Sequence, residues 1–361
     1  MAPLADRIHS SADRIRRSCR SPERPLSVAR PHPEHAGYSI EDLRRLVADD
    51  LAAVDHVIVG LLDNPVEMIP KIAGHIVSSG GKRIRPTLTL LVARMFGYHG
   101  TRHISLAACI EFIHTATLLH DDVVDGSTLR RGAATANALW GNKPPVLVGD
   151  FLLSRAFRLM VSDGSLEILG ILTEASAVIA EGEIRQLAIA NDLSVSPDAC
   201  MEVLQAKTAT LFATASEIGA VVAGEDGSGR QAMRDYGLSL GTAFQLVDDV
   251  LDYSALQNDL GKTIGDDFRE GKITMPVLLA FERGTPAERR FWERTFAQVN
   301  QRDGDLEHAM TLLARHNTLQ ATLEEAQRHA VLAREALEDL AGNAYRDALL
   351  DLVGFCIDRK F

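Results

Sequence analysis

Over most of its length the chain repeats apolar residues with the 3.6-residue period of a helix and offers a sheet almost nothing to use. The periodic stretches are 40–62, 86–96, 104–124, 165–189, 198–222, 230–253 and 318–353. Alternating β-branched runs and Asn-Gly hairpin signals are missing. Pro86 and Pro197 stand where a first helical turn would begin, a position at which the absent N–H costs nothing. There is no internal repeat of fixed length. The expectation is an all-α fold, a single large helical bundle, over residues 37–361. Hydrophobic residues form 46% of the chain, enough for a sizeable core. No run reaches the roughly 18 uninterrupted apolar residues of a membrane span. Glu174 and Glu217 break the best candidates, so a soluble protein is expected.

Residues 1–36 differ in kind. They hold five of the 13 prolines, seven arginines and no lysine, without a sustained apolar period. A disordered leader is the expectation. Richness in arginine and serine also resembles a mitochondrial transit peptide, but Asp6, Asp13, Glu23 and Glu34 depart from the acid-poor rule. The expected location is a bacterial cytoplasm, or a mitochondrion if residues 1–36 are a transit peptide. Cys19, Cys109, Cys200 and Cys356 are scattered, which speaks against a disulfide framework or a zinc site and fits a reducing compartment. A net charge of −11 disfavours nucleic acid as a partner. Anionic substrates can still bind if metal cations mediate.

The strongest chemistry is a pair of similar islands, Leu118-Leu119-His120-Asp121-Asp122-Val123-Val124-Asp125 and Gln245-Leu246-Val247-Asp248-Asp249-Val250-Leu251-Asp252. Each is D-D-x-x-D inside an apolar helical run. Asp121 and Asp125 lie one turn apart, so their carboxylates share a helix face about 6 Å from each other, as do Asp248 and Asp252. Aspartate is a poor mid-helix residue, and clustered carboxylates near a core repel and resist desolvation. Something positive must compensate. Hard oxygen ligands without His or Cys beside them favour Mg²⁺, which keeps part of its shell for water and phosphate. A solvated acidic face would explain one island but not two set among apolar residues. Glu111-Phe112-Ile113-His114 reads E-x-x-H, yet a di-iron bundle needs two such motifs and the chain has one.

Cations complete the picture. Gly80-Gly81-Lys82-Arg83-Ile84-Arg85-Pro86 places three of them just before a helix start, where glycine admits close approach and the helix N-terminus favours anions. Arg130-Arg131 follows the first island, Lys207-Thr208 and Lys262-Thr263 add cation–hydroxyl pairs, and Lys272 follows Glu270-Gly271. Together with two Mg²⁺-type islands they suit two diphosphates, one held through metal and one by side chains alone.

In this order, with Gly149-Asp150-Phe151-Leu152 between the islands and Gly261-Lys262-Thr263 after the second, the motifs resemble those of trans-isoprenyl diphosphate synthases, from about residue 39 to the C-terminus. The resemblance implies that Asp121, Asp122, Asp125, Asp248, Asp249 and Asp252 bind Mg²⁺ bridged to an allylic diphosphate. It implies that Lys82, Arg85, His114 and Arg131 hold isopentenyl diphosphate. Arg130, Lys207, Thr208, Gln245 and Lys262 would contact the allylic substrate, farnesyl or geranylgeranyl diphosphate. Of these, Arg130, Lys207, Thr208 and Gln245 would be catalytic, steadying the departing diphosphate or facing the allylic cation. Released diphosphate could take the proton, since no protein base stands out.

Chains would grow along the helix bearing Asp121, one isoprene unit of about 5 Å per helical turn. Ala116 and Thr117, about a turn before Asp121, are small where short-chain members carry aromatic floors. The resemblance then implies an all-trans product of roughly C40–C50, suited to a quinone side chain, with a short C15–C20 product as the alternative. A homodimer and peripheral membrane contact for product release are further family expectations. A terpene cyclase would line its cavity with aromatic rings, and this chain has 5% aromatics. A non-catalytic subunit of a heteromeric synthase would usually lose one aspartate island, and this chain keeps both.

Overall fold

The computed structural model describes residues 40–78, 81–130, 132–254 and 264–358. The expected leader and the expected site residues Arg131 and Lys262 lie outside the described residues. Helices α1 (Ile40–Arg45), α2 (Ala48–Leu62), α3 (Met68–Ser78), α4 (Ile84–Met95) and α5 (Arg102–Val124) come first. A short antiparallel hairpin follows, β1 (Leu129–Arg130) with β2 (Ala133–Ala134), pairing Leu129 with Ala134 and Arg130 with Ala133. Next are α6 (Ala136–Trp140), α7 (Lys143–Asp163), α8 (Leu166–Ala188) and α9 (Pro197–Leu204). A π-helical turn, Gln205–Ala209, leads into α10 (Thr210–Val222) and α11 (Ser228–Leu251). The C-terminal part holds α12 (Asp266–Arg269), α13 (Met275–Arg283), α14 (Pro286–Trp292), a second π turn at Glu293–Ala297, α15 (Asp305–Arg315), α16 (Thr318–Glu335) and α17 (Ala344–Ile357). The fold is all-α, as expected, and no described helix is long and apolar enough to cross a membrane.

Three helices form the centre. α4 buries every residue from Pro86 to Ala93, α5 every residue from Leu106 to Ile113, and α10 every residue from Leu211 to Ala220. A helix buried all round belongs inside a bundle. α11 crosses the π turn so closely that a Cβ on Gly241 would stand 2.7 Å from the Ala209 Cα, so only glycine fits there. Glu217, inside α10, is neutralised by Arg230 at 2.8 Å and Arg234 at 3.1 Å from α11. A second, smaller core gathers Tyr253, Phe268, Trp292 and Phe296 with Leu312 and Leu313.

Differences from the sequence pattern have local causes. The run 198–222 divides at the π turn. The run 318–353 stops after Glu335 and restarts where Asn343 caps α17, its side-chain oxygen accepting from the Tyr345 and Arg346 N–H at 3.0 Å each. α7 escapes the periodic reading because Val146, Leu147, Phe157 and Val161 remain exposed on it and blur the apolar stripe. α3 is obscured by Pro70 in its first turn.

Away from the aspartate islands, one buried ion pair ties three helices. Arg94 of α4 donates Nε to Asp50 Oδ2 at 2.7 Å and Nη2 to Oδ1 at 2.6 Å. His103 of α5, fully buried, lies 3.2 Å from Asp50 Oδ2. Burial pushes the Asp50 carboxyl up, but the hydrogen bonds from Arg94 and His103 outweigh it and hold the group below its usual range. Asp50→Asn should lower the unfolding free energy by about 2–3 kcal/mol near neutral pH. Because the folded pKa is depressed, the wild-type advantage is complete above the unfolded value of about 4 and disappears as pH falls through the folded value. Urea melts of both proteins from pH 7 to pH 3 should therefore converge at the acid end.

Candidate active site

Helix geometry divides each aspartate triad. In D-D-x-x-D the first and last residues share a face, and the second is turned roughly 100° away. On α5 this leaves Asp121 and Asp125, half-buried, on one face, with the Asp125 N–H closing the helix on the Asp121 carbonyl at 2.8 Å. Asp122 points into the protein and is 1% exposed. Its Oδ1 accepts from Arg130 Nε and Nη2, both at 2.8 Å. On α11 the buried Asp249 accepts from Gln245 Nε2 at 2.9 Å. Asp252 ends the helix, and its two oxygens accept the backbone N–H groups of Asp266 at 3.2 Å and Asp267 at 3.1 Å, capping α12. Asp248 is half-buried one turn before it.

The two islands bracket one space. From one side the π turn presents Lys207 and Thr208. Lys207 Nζ is 3.9 Å from Asp121 Oδ2, and Thr208 Oγ1 donates to Gln245 Oε1 at 3.0 Å, so the chain of contacts ends on Asp249. From the other side Lys272 Nζ reaches Asp125 Oδ2 at 2.7 Å, and Ser127 donates to Glu270 at 2.9 Å. Lys207 is itself held at 2.8 Å by both Glu183 and Gln186 of α8.

Negative charge remains in excess. Burial raises the Asp121 carboxyl despite Lys207, and burial raises Glu183 with Asp121 adding to it. Burial lifts Asp249 well above the carboxylate range, with Asp267 and Asp248 contributing, and pushes Asp252 to about 7 with Asp267 again beside it. A carboxyl in that state is waiting for a cation or a proton. The donor set is all oxygen, which suits a hard divalent ion. Among the described residues no three His, Cys, Asp or Glu side chains close into a cage, so a bound ion would draw other ligands from water or substrate.

The second cation group sits at the start of α4. Arg83, in the left-handed region at φ 49°, turns to Glu111 at 2.5 Å and Asp55 at 3.5 Å. Arg85 Nη1 lies 3.1 Å from His114 Nε2, and its guanidinium stacks 4.5 Å over Phe212. Lys82 is exposed, with Nζ 4.7 Å over the Phe355 ring of α17. The E-x-x-H pair of α5 thus serves two arginines, which removes the di-iron alternative.

A family profile described as polyprenyl synthetase matches residues 66–313. The chain is 44% identical over 321 residues to the octaprenyl diphosphate synthase of Escherichia coli K12, covering 89% of this chain and 99% of that protein. The chain belongs to the polyprenyl synthetase family. Among solved structures, a polyprenyl synthase from Caulobacter crescentus CB15, complexed with calcium and isoprenyl diphosphate, is 49% identical with a TM-score of 0.87, covering 91% of this chain and all of that one. A decaprenyl diphosphate synthase from Rhodobacter capsulatus is 47% identical with a TM-score of 0.85, covering 89% and 99%.

Around the islands of this polyprenyl synthetase stand residues that the sequence reading passed over. Glu183 and Gln186 are one turn apart on α8, a spacing that could have marked them as a pair aimed at a cation. Asp267, beside Asp249, Asp252 and Lys272, follows the second island by fifteen residues and has no motif of its own. The two residues expected to set product length part company. Thr117 is half-buried on the Asp121 face, its hydroxyl closed on the His114 carbonyl at 2.8 Å. Ala116 is 1% exposed in the main core, roughly 140° around the helix from Asp121.

The Asp122–Arg130 pair makes a direct prediction. Arg130→Ala leaves a nearly inaccessible carboxylate without its partner and should cost about 2–3 kcal/mol of stability. Adding Asp122→Asn to the same chain should return most of it. A double-mutant cycle in urea should give a coupling energy above about 1 kcal/mol.

Proposed function

We propose that the chain catalyses head-to-tail condensation of isopentenyl diphosphate with an allylic diphosphate in a Mg²⁺-dependent reaction. The product is a long all-trans polyprenyl diphosphate of roughly C40–C50. The observation that carries this reading is the convergence of two aspartate islands on one space, ringed by Lys207, Lys272 and Arg130, with a second cation group at Lys82 and Arg85. Two anions of different kinds fit that layout: one bridged through metal, one held by side chains. The relatives named octaprenyl and decaprenyl diphosphate synthase support the long product. The calcium and isoprenyl diphosphate in the Caulobacter crescentus protein support a divalent ion and a prenyl substrate.

Asp121, Asp125 and Asp248 are the carboxylates best turned to hold metal, with Asp122, Asp249 and Asp252 behind them. Mg²⁺ bound there would neutralise the allylic diphosphate and ease its departure. Lys207, Arg130 and Lys272 steady the negative charge that grows on the leaving diphosphate as the allylic C–O bond breaks. Thr208 donates its proton to Gln245, whose amide is in turn fixed by Asp249, so the hydroxyl oxygen keeps its lone pairs for the allylic cation. Lys82, Arg85 and His114 hold isopentenyl diphosphate so that its double bond attacks the cation. A new C–C bond forms, and a proton leaves, taken by the released diphosphate. Arg131 and Lys262 complete the two diphosphate sites in this reading.

A second copy of the chain is the partner we assign to the apolar face of α7 and α8, where Phe157, Val161, Leu166, Ile184 and Leu187 are exposed. Light scattering should give a dimer mass, and charged replacements at Val161 and Ile184 should give a monomer.

Purified protein supplied with Mg²⁺, isopentenyl diphosphate and farnesyl diphosphate should yield a ladder ending near C40–C50, and EDTA should abolish it. Asp121→Ala and Asp248→Ala should each cut turnover by about two orders of magnitude or more with the circular dichroism spectrum unchanged. Near-wild-type condensation in both would remove the metal assignment. Thr117→Phe should shorten the product, because the ring would stand on the face along which the chain grows.

A further inference from the structure

The hairpin that carries Arg130 is too small to hold itself. Strands of two residues form no independent structure, so its position is set from outside. Thr135 donates Oγ1 to the Ser127 carbonyl at 2.7 Å and its N–H to Thr128 at 3.0 Å. Asn137 Nδ2 reaches the carbonyls of Asp122 at 3.0 Å and Ser127 at 2.9 Å. These contacts are local. A contact from a distant element comes from His75 of α3, whose Nε2 is 2.8 Å from the Ala134 carbonyl. A carbonyl only accepts, so His75 donates from Nε2. Its ring also meets Trp140, at the end of α6, edge-on at 5.3 Å, with Lys71 5.9 Å over the same indole. His75, Asp122 and Arg130 line one recess with Ala133 and Ala134. α3 is thus pinned to the second strand of the hairpin and to the end of α6.

The same helix ends at Ser78, four residues before Lys82. In sequence, the element that meets the hairpin bearing Arg130 is thus followed directly by the segment bearing Lys82 and Arg85. We propose that His75 is a positioning residue that sets the spacing between the allylic and isopentenyl diphosphate sites. It contacts neither diphosphate; it holds the Ala134 carbonyl, and through it the strand that pairs Arg130 with Ala133. The inference rests on the functional reading above, in which Arg130 serves the allylic diphosphate and Lys82 and Arg85 the isopentenyl one.

Spacing matters to condensation but not to ionisation. Bond formation between two bound substrates loses about a hundredfold for a misplacement near 1 Å. Departure of the allylic diphosphate depends on one site alone. The test compares wild type, His75→Ala, His75→Gln and Arg130→Ala in two assays: condensation with both substrates, and hydrolysis of farnesyl diphosphate with isopentenyl diphosphate omitted. Thermal unfolding is recorded for each. His75→Ala should lose about tenfold or more in condensation kcat, with both KM values within about threefold and a clearly smaller loss in farnesyl diphosphate hydrolysis. His75→Gln, which keeps an N–H at similar reach, should recover most of the condensation rate. Arg130→Ala should lower both activities. If Arg130→Ala changes neither, the functional reading of the hairpin fails. If Arg130→Ala lowers both while His75→Ala matches wild type, lowers both in proportion, or is not rescued by His75→Gln, the positioning role of His75 is overturned and the reading of the site stands.

Discussion

Repulsion among carboxylates at the ends of α5 and α11 is the constraint around which the rest of the molecule is arranged. Asp121, Asp125, Asp248, Asp249, Asp252 and Asp267 crowd one space with Glu183 at its edge, and burial removes the water that would screen them. The protein answers with Lys207, Lys272 and Arg130, each reaching from a separate segment. Those three do not balance the charge: burial raises the Asp121, Asp249 and Asp252 carboxyls, and neighbouring carboxylates add to it. An ion from solution and its diphosphate are the natural complement.

The repeat D-D-x-x-D also solves a second problem, that of fixing the groups around the metal. Its second residue is turned away from the first and last, and in both islands it is used to grip a neighbour. Asp122 holds Arg130, and Asp249 holds Gln245. Each gripped residue belongs to the set that faces the allylic substrate in the proposed reaction. In the proposed reaction one short motif therefore supplies outward ligands and inward supports at once. That double demand explains why the second aspartate is kept among apolar residues although its burial is costly.

Much of this could be read before the fold was known. The helical period identified the bundle, and two aspartate islands among apolar residues demanded a cation whatever the three-dimensional arrangement. What could not be read was the division of labour among like residues. Lys82, Arg83 and Arg85 are three cations in four positions, and only the fold shows Arg83 committed to Glu111 and Asp55 while Arg85 meets His114. Glu183 and Gln186 look like the solvated face of a helix until α8 is set against the π turn. The π turn itself is invisible to a periodic reading, since 198–222 keeps an unbroken apolar pattern across it. Long-range pairing decides each of these cases, and a pattern of local spacing carries no record of it.

Helix polarity gives the layout its logic. Both aspartate islands occupy the last turn of a helix, where unsatisfied carbonyls already place partial negative charge. Carboxylates there are doubly unfavourable in isolation, which is why the proposed reaction sets its divalent cations between the two C-termini. The second cation group lies at the first turn of α4, where backbone N–H groups carry the opposite partial charge. An anion can bind at that end with side chains and backbone alone. On the proposed function, the fold would distinguish two chemically alike diphosphate groups by the polarity of the helix end each one meets. In the proposed reaction the one that must leave is placed where metal is required, and the one that must stay attached is placed where it is not. Head-to-tail condensation needs that asymmetry, because a site treating both diphosphates alike would ionise neither selectively.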